Sequence, residues 1–448
     1  MKSGQKLLGL LLILIGLLLN PLALSGLFSN DGSISTPTLL AAIIFFELIV
    51  ALLGVIVYRT GRFSNIGLSI ISPVFVLFLS VGADRFYGAF IMPETANLLF
   101  PAFSKAEHNT SEFGLNVQIN NLGFRGSNTS IEKTKKRVLV IGDSFTFGWG
   151  VETQETWIHR LSESYPEIEF LNLGQGGNHP GDFVRIAKKA IPLLKPDLVM
   201  ICVLEGNDIH QLMRVIEHEN DLKKQANKVT GIESNTEKIS RYTSILYPYL
   251  TKRFPAKASI QKRWVKDAED LLSDLSEVQK EKYNSLTETI KSQFELGRLN
   301  PSLIYESIHH PNLFRDAVDT SGPLCQKAIV RLHDHLLEIE TIASENAAKT
   351  VVVSLPNRPY GFPSEIDALN QLGFSVNGCD LLDGNLPTKL ALSQTETTAL
   401  YPSIKGDSLF YKYDGHWNAN GNRIFAQELI KQLDTLPAWK HFLTSSSF

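Results

Sequence analysis

Apolar and polar positions follow three regimes along the chain. In the first ninety residues they hardly alternate: Leu7 to Phe28, Leu39 to Tyr58 and Ile66 to Ala83 are continuous apolar stretches. Each is long enough, or nearly so, to cross about 30 Å of hydrocarbon. Residues 1–91 therefore read as a transmembrane region of about three helices. Lys2 and Lys6 precede the first stretch, Arg59 and Arg62 sit between the second and third, and the loop Ser29 to Thr36 has no Lys or Arg. Positive-inside logic puts the N-terminus and the second loop in the cytoplasm and everything after about Asp84 outside it. Ala23-Leu24-Ser25 also reads as a small-residue cleavage site, which would make Leu7 to Leu22 a signal peptide. The large domain lies outside on either reading. Glu47, inside the second span, marks either function or helix pairing.

After a linker over 92–135, with an Asn/Gly-dense turn at Asn120 to Gly126, the pattern becomes strand and helix in alternation. Strands are predicted at 137–141, 168–173 and 198–204, and helices at about 155–165 and 182–194. Apolar strands alternating with helices mean a parallel sheet covered on both faces. From His210 to Asn312 the alternation stops. Trp264, Ala268, Leu271, Leu275 and Val278 recur at helical spacing among charges that read as a solvated face. This block leaves the carboxyl end of a strand, so it reads as a helical cap beside a ligand site. The α/β pattern resumes with a helix over 324–346, a strand at 350–355, a short strand near Cys379–Leu382 and a closing helix over 422–433.

Composition narrows the classes. A chain of 448 residues with a net charge of −3 allows two or three domains and offers no basic field for nucleic acid. Cys202, Cys325 and Cys379 have no metal-ligand spacing; Cys202 reads as packed in a strand, and a Cys325–Cys379 disulfide is open.

Candidate chemistry gathers where strands end. Gly142-Asp143-Ser144 follows the first strand, and a serine at a sharp strand-to-helix turn is exposed at the sheet's edge. Alone, it also reads as a turn that caps a helix. Asn172-Leu-Gly174-Gln-Gly-Gly177-Asn178 follows the second strand, where glycine lets backbone N–H approach a ligand. Glu205-Gly206-Asn207-Asp208 follows the third, and its Asn amide would either donate to an oxyanion or cap a helix. Asp414-Gly415-His416-Trp417 precedes the last helix, with Asp414 spaced to orient the His416 imidazole. Together they supply a nucleophile, Ser144; a base, His416; its orienting acid, Asp414; and oxyanion donors from Ser144, Gly177 and Asn207. His179 and His309-His310 read as loop histidines. Trp149 and Trp417 read as packing residues or as a sugar-stacking pair.

These four blocks resemble the SGNH (GDSL-type) hydrolase superfamily over roughly Lys136–Leu433, the cap excepted. Gly-x-Ser-x-Gly fails at Thr146, so the α/β-hydrolase elbow is not the match. The resemblance implies a flavodoxin-like three-layer α/β/α sandwich with a parallel sheet, over 136–448, carrying the helical insertion at about 210–312. Many members place the Asp three residues before the His. The spacing of two here resembles the membrane-associated branch that modifies exopolysaccharides, including alginate O-acetyltransferase-like proteins, with Asp383 and Asp407 as reserve orienting carboxylates. The implied activity is an esterase or O-acyltransferase acting outside the cytoplasmic membrane on acylated carbohydrate, without metal or organic cofactor. Membrane proteins of a polysaccharide pathway would be its partners. A catalytically silent domain that binds glycan or scaffolds an export complex is the alternative.

Overall fold

The computed structural model describes residues 3–18, 20, 37–63, 65–67, 69, 73, 98–100, 102–226, 257–360, 363–404 and 408–444. The chain divides into two compact units, 1–93 with 234–249 and 94–233 with 250–448.

In the first unit, helices Ser3–Leu18 and Pro37–Thr60 pack side by side in opposite directions. Glycines set the closeness of the seam. A Cβ on Gly9 would lie 2.4 Å from the Tyr58 nitrogen, on Gly16 2.9 Å from that of Ala51, and on Gly54 2.7 Å from that of Ile13. Small residues at a helix seam let backbones approach where no hydrophobic force drives association. The outer faces are apolar: Leu7, Leu10, Leu14, Phe45, Leu48 and Leu52 are each 47–68% exposed, the reverse of a water-facing helix pair. Among the described residues one helix, at Ile43–Thr60, is long and apolar enough to cross a membrane, and Ser3–Leu17 is a shorter apolar helix. The Ala23-Leu24-Ser25 site and most of the third apolar stretch lie outside the described residues.

The second unit is built on five parallel strands: β3 (Lys136–Gly142), β4 (Ile168–Gly174), β5 (Leu198–Leu204), β7 (Lys349–Leu355) and β8 (Thr398–Leu400). Their spatial order is β4-β3-β5-β7-β8, the 2-1-3-4-5 winding of flavodoxin-like sheets. Successive side chains take opposite faces. Leu139, Ile141, Val199 and Ile201 enter one core with helices Pro180–Leu194 and Pro323–Glu345. Val138, Val140, Met200 and Cys202 enter another with Trp157–Ser164 and Ala419–Thr435. The three-layer α/β/α sandwich is therefore present.

Two details differ from expectation. Cys379–Leu381 forms a 3₁₀ turn, not a strand, and the fifth strand is Thr398–Leu400. Within 92–135 the chain forms a hairpin, β1 (Lys105–Asn109) with β2 (Gly114–Gln118). β1 also pairs in parallel with β6 (Lys257–Ser259), which leads into the cap helix Ile260–Asp274. Apart from β6 the described part of the insertion is mainly helical, and its Ile290, Phe294 and Ile304 share a core with Leu372 from later in the chain.

Candidate active site

Winding order reverses beside β3, and the crevice beyond the strands' carboxyl ends there is where such sheets hold ligands. The chain leaves β3 at Gly142, where a Cβ would sit 2.1 Å from Thr146 Oγ1, so only glycine allows the turn. Ser144 then opens a single helical turn, Ser144–Phe147, capped by Asp143 Oδ1, which accepts the Phe145 N–H at 2.9 Å. The far end of that turn is held by the buried Arg125, whose guanidinium donates to the carbonyls of Phe147 (3.1 Å), Gly148 (2.5 Å) and Val151. Asn172 donates to the Phe147 carbonyl as well, at 3.3 Å. Gly174 lies against the same backbone: a Cβ there would be 2.2 Å from the Phe147 nitrogen. Asn172 and Gly174 thus brace the turn that presents Ser144, while Gly176 and Gly177 line the cleft in front of it.

His416 Nε2 lies 2.7 Å from Ser144 Oγ, and His416 Nδ1 lies 2.6 Å from Asp414 Oδ1. With the ring proton on Nδ1, the imidazole donates to the carboxylate and accepts from the serine hydroxyl. The other carboxylate oxygen, Oδ2, accepts the Trp149 indole N–H at 3.2 Å. The Phe145 ring packs on the imidazole at 4.7 Å. Gly177 has φ +81°, with nothing within 4 Å of where a Cβ would stand, so its backbone faces open space. Asn207 begins helix Asn207–Ala226 and lines the same cleft. All five sequence-predicted site residues therefore meet at one cleft of about 680 Å³.

Asn207, His210, Gln211 and Arg214 form one face of that helix along the cleft, a run of about 10 Å. Trp264, Asp267 and Leu271, and Asn300 to Leu303, line the cleft as well. Further in, Arg214 pairs with Glu306 and lies over the Tyr305 ring.

Burial dominates the electrostatics behind Ser144. Asp143 is pushed up to about 6, chiefly by burial, with His416 and backbone N–H groups pulling it back. Asp208 is raised well above the usual carboxylate range by burial and then by Asp143. Its Oδ2 accepts the Leu204 N–H at 2.8 Å. Burial also pushes Glu205 up to about 8 and His210 down to about 3.

Other candidates fall elsewhere. Trp417 is buried and donates to the Pro356 carbonyl at 3.2 Å, so it belongs to the core. Trp149 lines the cleft, but the rings of His108 (4.6 Å) and Trp264 (6.1 Å) pack against it. His179 caps helix Pro180–Leu194, His309 Nδ1 bonds the Tyr305 carbonyl, and the His310 ring packs against His210. Asp383 is half-exposed and paired with Lys389, and Asp407 lies outside the described residues. All three cysteines are free thiols. Among the described residues no group of three or more His, Cys, Asp or Glu could hold a metal ion. Glu112, Arg125 and Arg358 went unread in the sequence, where each is a single charge in a loop.

No protein-family model and no curated protein matches the chain. Solved structures to which it is similar include a member of the lipolytic protein G-D-S-L family from Veillonella parvula, at 11% identity and a TM-score of 0.30, covering 67% of this chain and all of that one. TesA is similar at 11% identity and a TM-score of 0.32, over 66% and 98% of the two chains. A catalytic mutant of Axe2, an acetylxylan esterase from Geobacillus stearothermophilus, is similar at 15% identity and a TM-score of 0.28, over 68% and 96%.

Proposed function

We propose that this chain is a serine-dependent ester hydrolase or O-acyltransferase that works through an acyl-enzyme on Ser144. One observation carries the reading: the continuous line Ser144 Oγ, His416 Nε2, His416 Nδ1, Asp414 Oδ1, with contacts of 2.7 and 2.6 Å, opening on a cleft. His416 Nε2 takes the hydroxyl proton as Ser144 Oγ bonds to the acyl carbon, and Asp414 stabilises the imidazolium that results. Electrons of the carbonyl move to its oxygen, which the N–H groups of Ser144 and Gly177 and the Asn207 amide receive. Collapse of that intermediate breaks the ester C–O bond, and His416 returns the proton to the departing alcohol. The second half runs in reverse with a new hydroxyl: water makes the enzyme an esterase, a sugar hydroxyl an O-acyltransferase. Asn300, Gln211, Asp267 and Asn357 along the cleft suit an acceptor rich in hydroxyls, and acylated carbohydrate is the substrate class.

The test is covalent labelling by a fluorophosphonate probe alongside turnover of p-nitrophenyl acetate. Ser144→Ala should abolish both while melting as the wild type does, because the side chain stands at the edge of the fold. Turnover surviving in folded Ser144→Ala would refute the nucleophile.

The same reading seats the enzyme in the cytoplasmic membrane with its catalytic unit outside, beside partner membrane proteins of a polysaccharide pathway. The outward-facing leucines of the first unit support it, as do Arg59 and Arg62 at the end of the longer helix. A reporter active only outside the cytoplasm should be active when fused near Glu132 and silent near Gly61; the opposite pattern overturns the orientation.

A further inference from the structure

We propose that Glu112 and Arg358 form a charged clamp across the backbone of the loop that carries Asp414 and His416, which makes Glu112 a positioning residue for the Asp414 carboxylate. The proposal rests on the serine mechanism above and adds residues to it from two distant parts of the chain.

Loop 411–416 is irregular, so its peptide groups must find partners outside a helix or strand ladder. Four consecutive residues find charged ones. Arg358 Nη1 donates to the carbonyls of Tyr411 (3.1 Å) and Lys412 (2.5 Å). Glu112 Oε2 accepts the next two N–H groups, of Tyr413 (3.0 Å) and Asp414 (2.7 Å). The cation thus meets only acceptors and the anion only donors, and hydrogen bonds to ionised groups are roughly twice as strong as neutral ones. Gly415 completes the fit, with φ +87° and a Cβ position 3.2 Å from Arg358 Nη2.

Glu112 is itself held from several sides. It sits in the loop between β1 and β2, where Thr110 Oγ1 accepts the N–H groups of Glu112 and Phe113 at 3.1 Å. Ser111 N–H donates to the Arg298 carbonyl of the cap at 3.1 Å. Phe113 packs on the Tyr411 ring at 4.9 Å, and the Tyr411 hydroxyl donates to the Gly150 carbonyl at 2.8 Å. A carboxylate so anchored fixes where the Asp414 backbone can stand. Asp414 in turn aims His416 at Ser144, and a misplacement of about 1 Å in such a line can cost about 10²-fold in rate.

The experiment measures inactivation by a fluorophosphonate, which reports acylation of Ser144 whether the natural acceptor is water or sugar. Glu112→Ala and Glu112→Asp should each lower the maximal inactivation rate about 10- to 100-fold, with the probe's half-saturation concentration unchanged. Glu112→Gln, which keeps an acceptor oxygen at the same reach but not the charge, should restore part of that loss. In an Asp414→Asn background the Glu112→Ala change should cost little more, since coupled residues are not additive. Should Glu112→Ala not fold, the Asp and Gln variants give the same comparison. Wild-type inactivation in folded Glu112→Asp, Gln no better than Asp, or equal losses in both backgrounds would overturn the clamp. If those results came with an inert Ser144→Ala protein, the clamp alone would fall. A Ser144→Ala protein labelled at the wild-type rate would overturn the mechanism and the clamp with it.

Discussion

At the scale of single residues, the site sets an imidazole against one carboxylate and keeps two more acids out of water behind the serine. Asp143 and Asp208 are both buried, and each is raised chiefly by that burial. The folded protein therefore retains protons that an unfolded carboxyl gives up near pH 4. Stability from this source is fully present below that pH and declines as pH rises through the raised folded values, about 6 for Asp143. Asp208→Asn keeps an oxygen for the Leu204 N–H and removes the charge. Its melting temperature should gain on the wild type's as pH rises from about 4 upward, and a gap that stays flat would show that Asp208 is not strained by ionisation. The residues legible in the sequence are those whose chemistry is local. Ser144, Gly177, Asn207 and the Asp414–His416 pair each stand at a turn with its own signature. Glu112 has none, because its meaning depends on an amide 302 positions away.

Among elements, the helical turn Ser144–Phe147 is too short to stand alone and is built from outside. Arg125 closes its carboxyl end, Asn172 binds the Phe147 carbonyl, and Gly174 yields space to the Phe147 nitrogen. A methyl group at Gly174 has only backbone to push against. Gly174→Ala should destabilise the fold by about 1–3 kcal/mol as overpacking does and slow Ser144 labelling as well. Differential scanning calorimetry and labelling of one preparation would check both, and wild-type values in each would show that the turn has room to spare. Long apolar strands such as Leu198–Leu204 were readable because a sheet buried on both faces demands an unbroken run. β8 was missed because three residues carry no period, and Cys379–Leu381 was misread for the same reason. The β1–β2 hairpin was hidden by polarity: Lys105, Glu107, Asn109, Asn116 and Gln118 make it look like a linker. Its third strand, β6, comes from within the insertion, far along the chain, which no local pattern can announce.

For the whole molecule, the cleft is assembled from early and late parts of one chain, with the strands between them as its scaffold. The hairpin before the sheet bonds the Asp414–His416 segment directly, and the cap reaches it through Trp264 stacked on Trp149. That convergence carries a consequence in time. Ser144 and His416 are 272 positions apart, so at a synthesis rate of 5–20 residues per second the serine exists for about 14 to 54 s before the imidazole proposed as its base has been made. During that interval the nascent polypeptide holds an ordinary alcohol, inert toward any ester it meets. Under the proposed mechanism reactivity then arrives as a single late event rather than growing with the chain, and a ribosome that stops anywhere short of residue 416 leaves a product without it.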